Sequence, residues 1–190
     1  RDINKAIHYY TLAANLNDLA SQYNLSILYY EGKYIKRDIN KAIYYFTQAA
    51  NQNYSNAQYN LGVIYDEGKH VTRDIKKAIH YYTLAAKQDN PKAQFNLANI
   101  YESGIDVVRD INEAIHYYTL AANQNYLKAQ YNLACIYDSG LYVPRDINKA
   151  IYYYTLAANQ NHCSAQINLG YIYYEGKIVP KDINKSLYYL

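Results

Sequence analysis

The sequence predicts an all-α solenoid built from stacked helix-turn-helix repeats with a 36-residue period, and three observations carry that prediction. The heptapeptide Arg37-Asp38-Ile39-Asn40-Lys41-Ala42-Ile43 recurs with small changes. Its first residues are Arg1, Arg37, Arg73, Arg109, Arg145 and Lys181, each 36 residues beyond the last with no insertion. Between these marks the apolar residues fall at helical spacing in two stretches per unit. Glycine and Asn/Asp residues stand at fixed places where those stretches must end. A period in this range marks repeats that each expose an apolar face and bury it only by stacking, and roughly three are needed for stability. The 190 residues hold about five.

Residues 55–90 show the unit. Helix A is expected from about Ser55 to Glu67, with the stripe Ala57, Leu61, Ile64, Tyr65 on one side. Gly68 follows, matched by Gly32, Gly104, Gly140 and Gly176, the left-handed stop expected just past a helix. A short loop holds one apolar residue (Ile35, Val71, Val107, Val143, Val179). Helix B then starts behind Asp74, matched by Asp38, Asp110, Asp146 and Asp182. An Asp there caps free N–H groups and suits the helix dipole, and Asp110 with Glu113 has the capping-box spacing.

The helix B stripe is Ile75, Ala78, Ile79, Tyr82, Ala85, Ala86. It ends near Asn17, Asn53, Asp89, Asn125 and Asn161, residue types that tolerate the left-handed conformation. Asn90-Pro91 reads as N-cap and first residue of the next helix A. Gly62, with Gly170, Ala98, Ala134 and Ser26 at equivalent places, sits mid-helix. A glycine there costs about 0.8–1 kcal/mol against alanine, so close helix approach is expected. The units are then an orphan helix B at 1–18, full repeats at 19–54, 55–90, 91–126 and 127–162, and a truncated repeat at 163–190, together one domain. The pattern starts and stops on helix B. A fragment of a longer array is expected, with open ends that invite end-to-end association.

Composition narrows function. Hydrophobic residues make up 51% of the chain while mean hydropathy is −0.45, because 28 of them are tyrosines. Abundant Asn, Ile, Lys and Tyr share AT-rich codons, which reads as genomic bias. The net charge of +3 is spread evenly by the repeat, leaving no nucleic-acid or membrane footprint. No apolar run approaches the roughly 18 residues of a membrane span, and no signal peptide opens the chain.

Cys135 and Cys163 form no metal or disulfide pattern and are expected to be buried or half-buried thiols. His8, His80 and His116 share one repeat position. Stacked helices lie about 8–10 Å apart, too far for a shared zinc ion with ligands at about 2 Å. No HExxH, GxGxxG, Walker or GxSxG motif occurs. No enzyme and no cofactor is expected. Asn24-Leu25-Ser26 is one of three glycosylation sequons. A glycan there would obstruct the face described below, so a cytoplasmic location is expected.

The pattern Ala57-x-x-x-Leu61-Gly62-x-x-Tyr65-x-x-Gly68, then Asp74-x-x-x-Ala78-x-x-Tyr81-Tyr82-x-x-Ala85-Ala86, resembles the Sel-1-like repeat, a relative of the tetratricopeptide repeat. The resemblance covers essentially the whole chain. Tyr81 stands where the family often has Trp, and Asn or Asp where it usually has Gly after helix B. The resemblance implies a right-handed superhelix of paired antiparallel helices with the A helices on its concave face. It also implies adaptor or scaffold roles in quality control, signalling or bacterial–host contact. β-Lactamase-like activity is credited to a few bacterial members, but no SxxK motif supports it here.

At about 100° per residue, positions 56, 59, 60, 63, 66 and 67 turn away from helix B. Two columns recur there. One is Asn24, Asn60, Asn96, Asn132 and Asn168; the other is Tyr23, Tyr59, Phe95 and Tyr131, with Ile167 in the last repeat. The amides offer donor and acceptor to an extended peptide backbone, or they bond one another between neighbouring A helices. The aromatics offer contact area, or they pack between A helices. Two further positions vary: Ile27, Val63, Asn99, Cys135, Tyr171 and Tyr30, Asp66, Glu102, Asp138, Tyr174. They either make the face specific, the acids favouring a basic segment, or drift as solvated residues. The expected function is a non-enzymatic scaffold that binds a partner protein or peptide along the concave face. The alternatives are a self-assembling array or a regulatory region appended to a signalling domain.

Overall fold

The computed structural model describes residues 3–177 and 179–189; Arg1 and Leu190, the two ends of the repeat pattern, lie outside the described residues. Eleven α-helices and no strand occur among the described residues: α1 (Ile3–Asn15), α2 (Leu19–Glu31), α3 (Ile39–Asn51), α4 (Ser55–Glu67), α5 (Ile75–Ala86), α6 (Pro91–Ser103), α7 (Ile111–Asn123), α8 (Leu127–Ser139), α9 (Ile147–Ala158), α10 (Cys163–Glu175) and α11 (Ile183–Tyr189). Even-numbered helices are A helices and odd-numbered ones B helices. The chain divides into two compact units, residues up to Ala93 and residues from Gln94.

In the first unit α2 packs on α3, α3 on α4 and α4 on α5. Its core gathers Ala42, Phe46, Ala49, Ala57, Leu61 and Ile64. In the second unit α7 through α11 pack each on the next. One core cluster there holds Ala114, Tyr118, Ala121 and Leu133, and another Ala150, Tyr154, Ala157 and Leu169. Burying each such leucine contributes roughly 1.5–3 kcal/mol. The alanines let helices approach closely around one large ring per repeat. A Cβ built on Gly62 would lie 2.4 Å from the Tyr82 ring, so this glycine makes room for that ring.

The stop and start signals do what their chemistry requires. Asp38, Asp74, Asp146 and Asp182 each accept from the backbone N–H three residues on, at 2.9–3.0 Å. These bonds hold the Asp74 and Asp146 carboxyls below their ordinary range. Gly32, Gly68, Gly104, Gly140 and Gly176 have φ of 62–64°, and Asn17, Asn53, Asp89, Asn125 and Asn161 have φ of 57–68°. Asn90 caps α6 through a 3.1 Å bond from Ala93 N–H.

Two sequence expectations need correction. Cys163 is exposed while Cys135 is half-buried; the first position of α10 faces solvent. Asp110 caps α7, but its own N–H donates to the Tyr101 carbonyl at 3.0 Å, so the Glu113 half of a capping box has no donor to accept.

A buried column of glutamines, not anticipated from the sequence, ties successive pairs together. Gln58 is 1% exposed; its Nε2 donates to the Ala50 carbonyl at 3.2 Å, and its Oε1 accepts from Gln88 at 2.7 Å. The same arrangement links Gln22 to Ala14 and Gln52, and Gln130 to Ala122 and Gln160. In these three pairs the glutamine of helix A adds a second donor to a carbonyl at the C-terminal end of helix B that already accepts the N–H of Asn17, Asn53 or Asn125 at 3.0 Å. The signal was legible as an unchanging Gln22, Gln58, Gln94, Gln130, Gln166.

Candidate functional site

Helix B contributes one buried ring per repeat: Phe46, Tyr82, Tyr118 and Tyr154, each no more than 2% exposed. A phenol is long enough to cross beneath helix A, so its hydroxyl emerges at the face assigned to partner contact. That corrects the expectation that this face turns wholly away from helix B.

Around Tyr118 the result is a closed polar cluster. Its hydroxyl donates to Glu102 Oε2 at 2.6 Å, lies 2.5 Å from Asn99 Oδ1, and accepts from Asn132 Nδ2 at 3.0 Å. Burial pushes this phenol's pKa far up, and the bond to Glu102 adds to the shift. Around Tyr154 the hydroxyl lies 3.5 Å from Asp138 Oδ2 and 3.6 Å from Cys135 Sγ. The Asn168 side chain hydrogen-bonds to both Tyr131 and Tyr154. In the first unit Tyr82 donates to Asp66 Oδ2 at 3.4 Å. Asp66 and Asp138 also pair with Arg73 and Arg145, at 3.3 and 2.7 Å. The three acids thus serve as acceptors for buried phenols. Where the ring is Phe46, the acid is replaced by Tyr30.

The aromatic column packs inward as well. Tyr23 meets Phe46 and Tyr54 edge-on at centroid distances of 6.0 and 4.9 Å. Tyr59 lies 6.0 Å from Tyr82, Phe95 lies 5.7 Å from Tyr118, and Tyr131 stacks on His162 at 4.3 Å. All four remain half-buried, while Ile167 is exposed.

The asparagines do not share one fate. Asn24 is exposed and Asn96 half-buried. Asn132 and Asn168 are taken up by phenols of the preceding helix B. Asn60 stands opposite Phe46, which has no hydroxyl, and its Nδ2 instead donates to Tyr23 at 3.2 Å. One amide hydrogen and the Oδ1 of Asn60 are left for other partners. Asn60 lines a depression of about 290 Å³ together with Tyr23, Asn56, Tyr59, Asn90 and Lys92. Here the structure brings both columns to one concavity. Val63 lies one turn further along α4, half-buried.

No group of three or more metal-binding side chains occurs among the described residues. No described helix is long and apolar enough to cross a membrane.

The Sel1 repeat family model matches residues 1–18, 19–54, 55–90, 91–126, 127–162 and 163–190. Among solved structures, a Sel1 repeat protein from Oxalobacter formigenes is 32% identical with a TM-score of 0.82, over 99% of this chain and 77% of that one. A protective antigen of uropathogenic Escherichia coli strains, displaying an SLR fold, is 31% identical with a TM-score of 0.82. The match covers 96% of this chain but only 39% of the antigen. Helicobacter pylori cysteine rich protein B is 27% identical with a TM-score of 0.53, over 67% of this chain and 92% of that one. No curated protein matches the chain.

Proposed function

We propose, from the premise that this chain belongs to the Sel1 repeat family, that it is a scaffold holding a partner segment along the outer face of its A helices. Sel1 repeats mediate protein–protein interactions and form a non-catalytic repeat family. The finer reading rests on one observation. At Asn60 the amide column and the aromatic column meet in a single concavity, and the amide keeps unused hydrogen-bonding capacity there. An extended segment laid across α2 and α4 would exchange main-chain bonds with Asn60 and cover Tyr23 and Tyr59. Rings with few rotatable bonds give contact area at low entropic cost. The acids at 66, 102 and 138 are engaged by phenols, so the reading does not depend on them.

Site-specific photo-crosslinking tests this. Asn56, exposed beside the concavity, and His80, exposed on α5, are each replaced by p-benzoylphenylalanine. A discrete adduct in a source-cell extract is expected from position 56 and none from position 80. Equal adducts from both positions would sink the proposal.

A further inference from the structure

Four positions that form a polar knot in one repeat form an apolar pocket in another. Asn99, Glu102, Tyr118 and Asn132 surround one hydroxyl in the second unit. Two periods earlier the same places hold Ile27, Tyr30, Phe46 and Asn60. These four, with Val63, Ile64 and Glu31, line a cavity of about 220 Å³. With the hydroxyl and its acid both gone, Ile27, Phe46, Val63 and Ile64 give the cavity a mostly apolar lining, to which Tyr30, Glu31 and Asn60 add the polar groups. A cavity of about 150 Å³ lined by apolar side chains accepts a benzene ring, so this one has room for a single large apolar side chain. Asn60 belongs both to this cavity and to the neighbouring concavity, and so joins them. Glu31 is exposed; the Arg37 guanidinium donates to its main-chain carbonyl at 3.2 Å, while its carboxylate makes no ion pair among the described residues.

We infer that this pocket is an anchor site for a partner segment carrying a bulky apolar residue followed by lysine or arginine. The inference rests on the segment-binding reading above and adds what the segment must contain. The apolar side chain enters beside Phe46, Ile27 and Val63. The Asn60 amide bonds the main chain next to it. The cationic neighbour meets Glu31. At the equivalent position the other repeats with a described ring carry a phenol, Tyr10, Tyr82, Tyr118 and Tyr154, where this one has the phenyl ring of Phe46.

The test is a methyl NMR titration of the full chain with three blocked hexapeptides, Gly-Ser-Leu-Lys-Ser-Gly and its Leu-Glu and Ser-Lys counterparts. The Leu-Lys peptide is expected to shift the Ile27 and Val63 methyl signals with at least five-fold higher apparent affinity than the other two. Phe46→Tyr, which restores the hydroxyl, is expected to abolish that response. Glu31→Gln, a surface change that spares the fold, is expected to remove the preference for Leu-Lys over Leu-Glu. Equal response to all three peptides overturns the inference, as does indifference to Glu31→Gln. Shifts around Asn60 with Ile27 and Val63 silent overturn the pocket and leave the groove reading standing. Silence throughout also overturns the pocket, and the groove reading is then judged by the position 56 crosslink alone.

Discussion

The side chain of Asn132 donates to the Tyr118 hydroxyl across 3.0 Å, and this bond separates two residues that look alike in sequence. Asn60 occupies the same place two periods earlier, faces Phe46, and bonds Tyr23 at a half-buried site instead. Removing a partner from a buried hydroxyl costs about 1–3 kcal/mol, whereas an ordinary hydrogen bond contributes about 0.5–1.5 kcal/mol. Asn132→Ala is therefore expected to lower Tm by roughly 2–12 °C, at about 2–4 °C per kcal/mol for a domain of this size. Asn60→Ala is expected to lower it by about half as much, roughly 1–6 °C. Thermal unfolding followed by circular dichroism decides this, and equal losses would show that both amides are structural.

The buried phenols set an alkaline limit. Burial raises the pKa of Tyr118 and, with Cys135 close by, of Tyr154. Because the folded value lies above the unfolded one of about 10, the stability these groups contribute is complete below about pH 10 and is lost as pH rises toward the folded value. Urea midpoints should hold steady to about pH 9 and fall above about pH 10. Tyr118→Phe should make the fall shallower, by up to about 1.4 kcal/mol per pH unit. A pH dependence identical to the parent's would mean this phenol ionises freely in the folded state.

The glutamine column is expected to matter more than its polarity suggests. Gln58→Leu removes two hydrogen bonds, one to the Ala50 carbonyl, which keeps the Asn53 N–H, and one from the exposed Gln88 amide, at about 1 kcal/mol each and so a cost of about 2 kcal/mol. Gln88→Ala removes only the more exposed half and should cost about 1 kcal/mol. Urea denaturation measures both. A neutral Gln58→Leu would show that the column is dispensable packing.

Much of this was legible because repetition isolates each cause. The aspartate caps, the left-handed glycines and the Asn/Asp stops are local signals, and φ values and cap bonds at those positions follow from residue type alone. The outer face was less legible because a helical wheel treats helix A as if nothing passes beneath it. The Tyr118 ring crosses under that helix and recruits Asn99, Glu102 and Asn132 from the face read as solvent-facing. One sequence clue was available in pairing the columns: an acid at 66, 102 and 138 accompanies Tyr82, Tyr118 and Tyr154, whereas Tyr30 accompanies Phe46. The glutamines were missed because a polar residue is expected on a surface, although these close a helix end in the interior.

Partner contact is proposed to fall on Asn60, while Asn132 serves the fold through Tyr118. Quantitative capture from source-cell extract, using parent, Asn60→Ala and Asn132→Ala chains at a temperature where all three are folded, tests it most directly. Asn60→Ala is expected to lose at least ten-fold of the captured partner while Asn132→Ala retains it. Retention by Asn60→Ala, or equal loss by both, would contradict it.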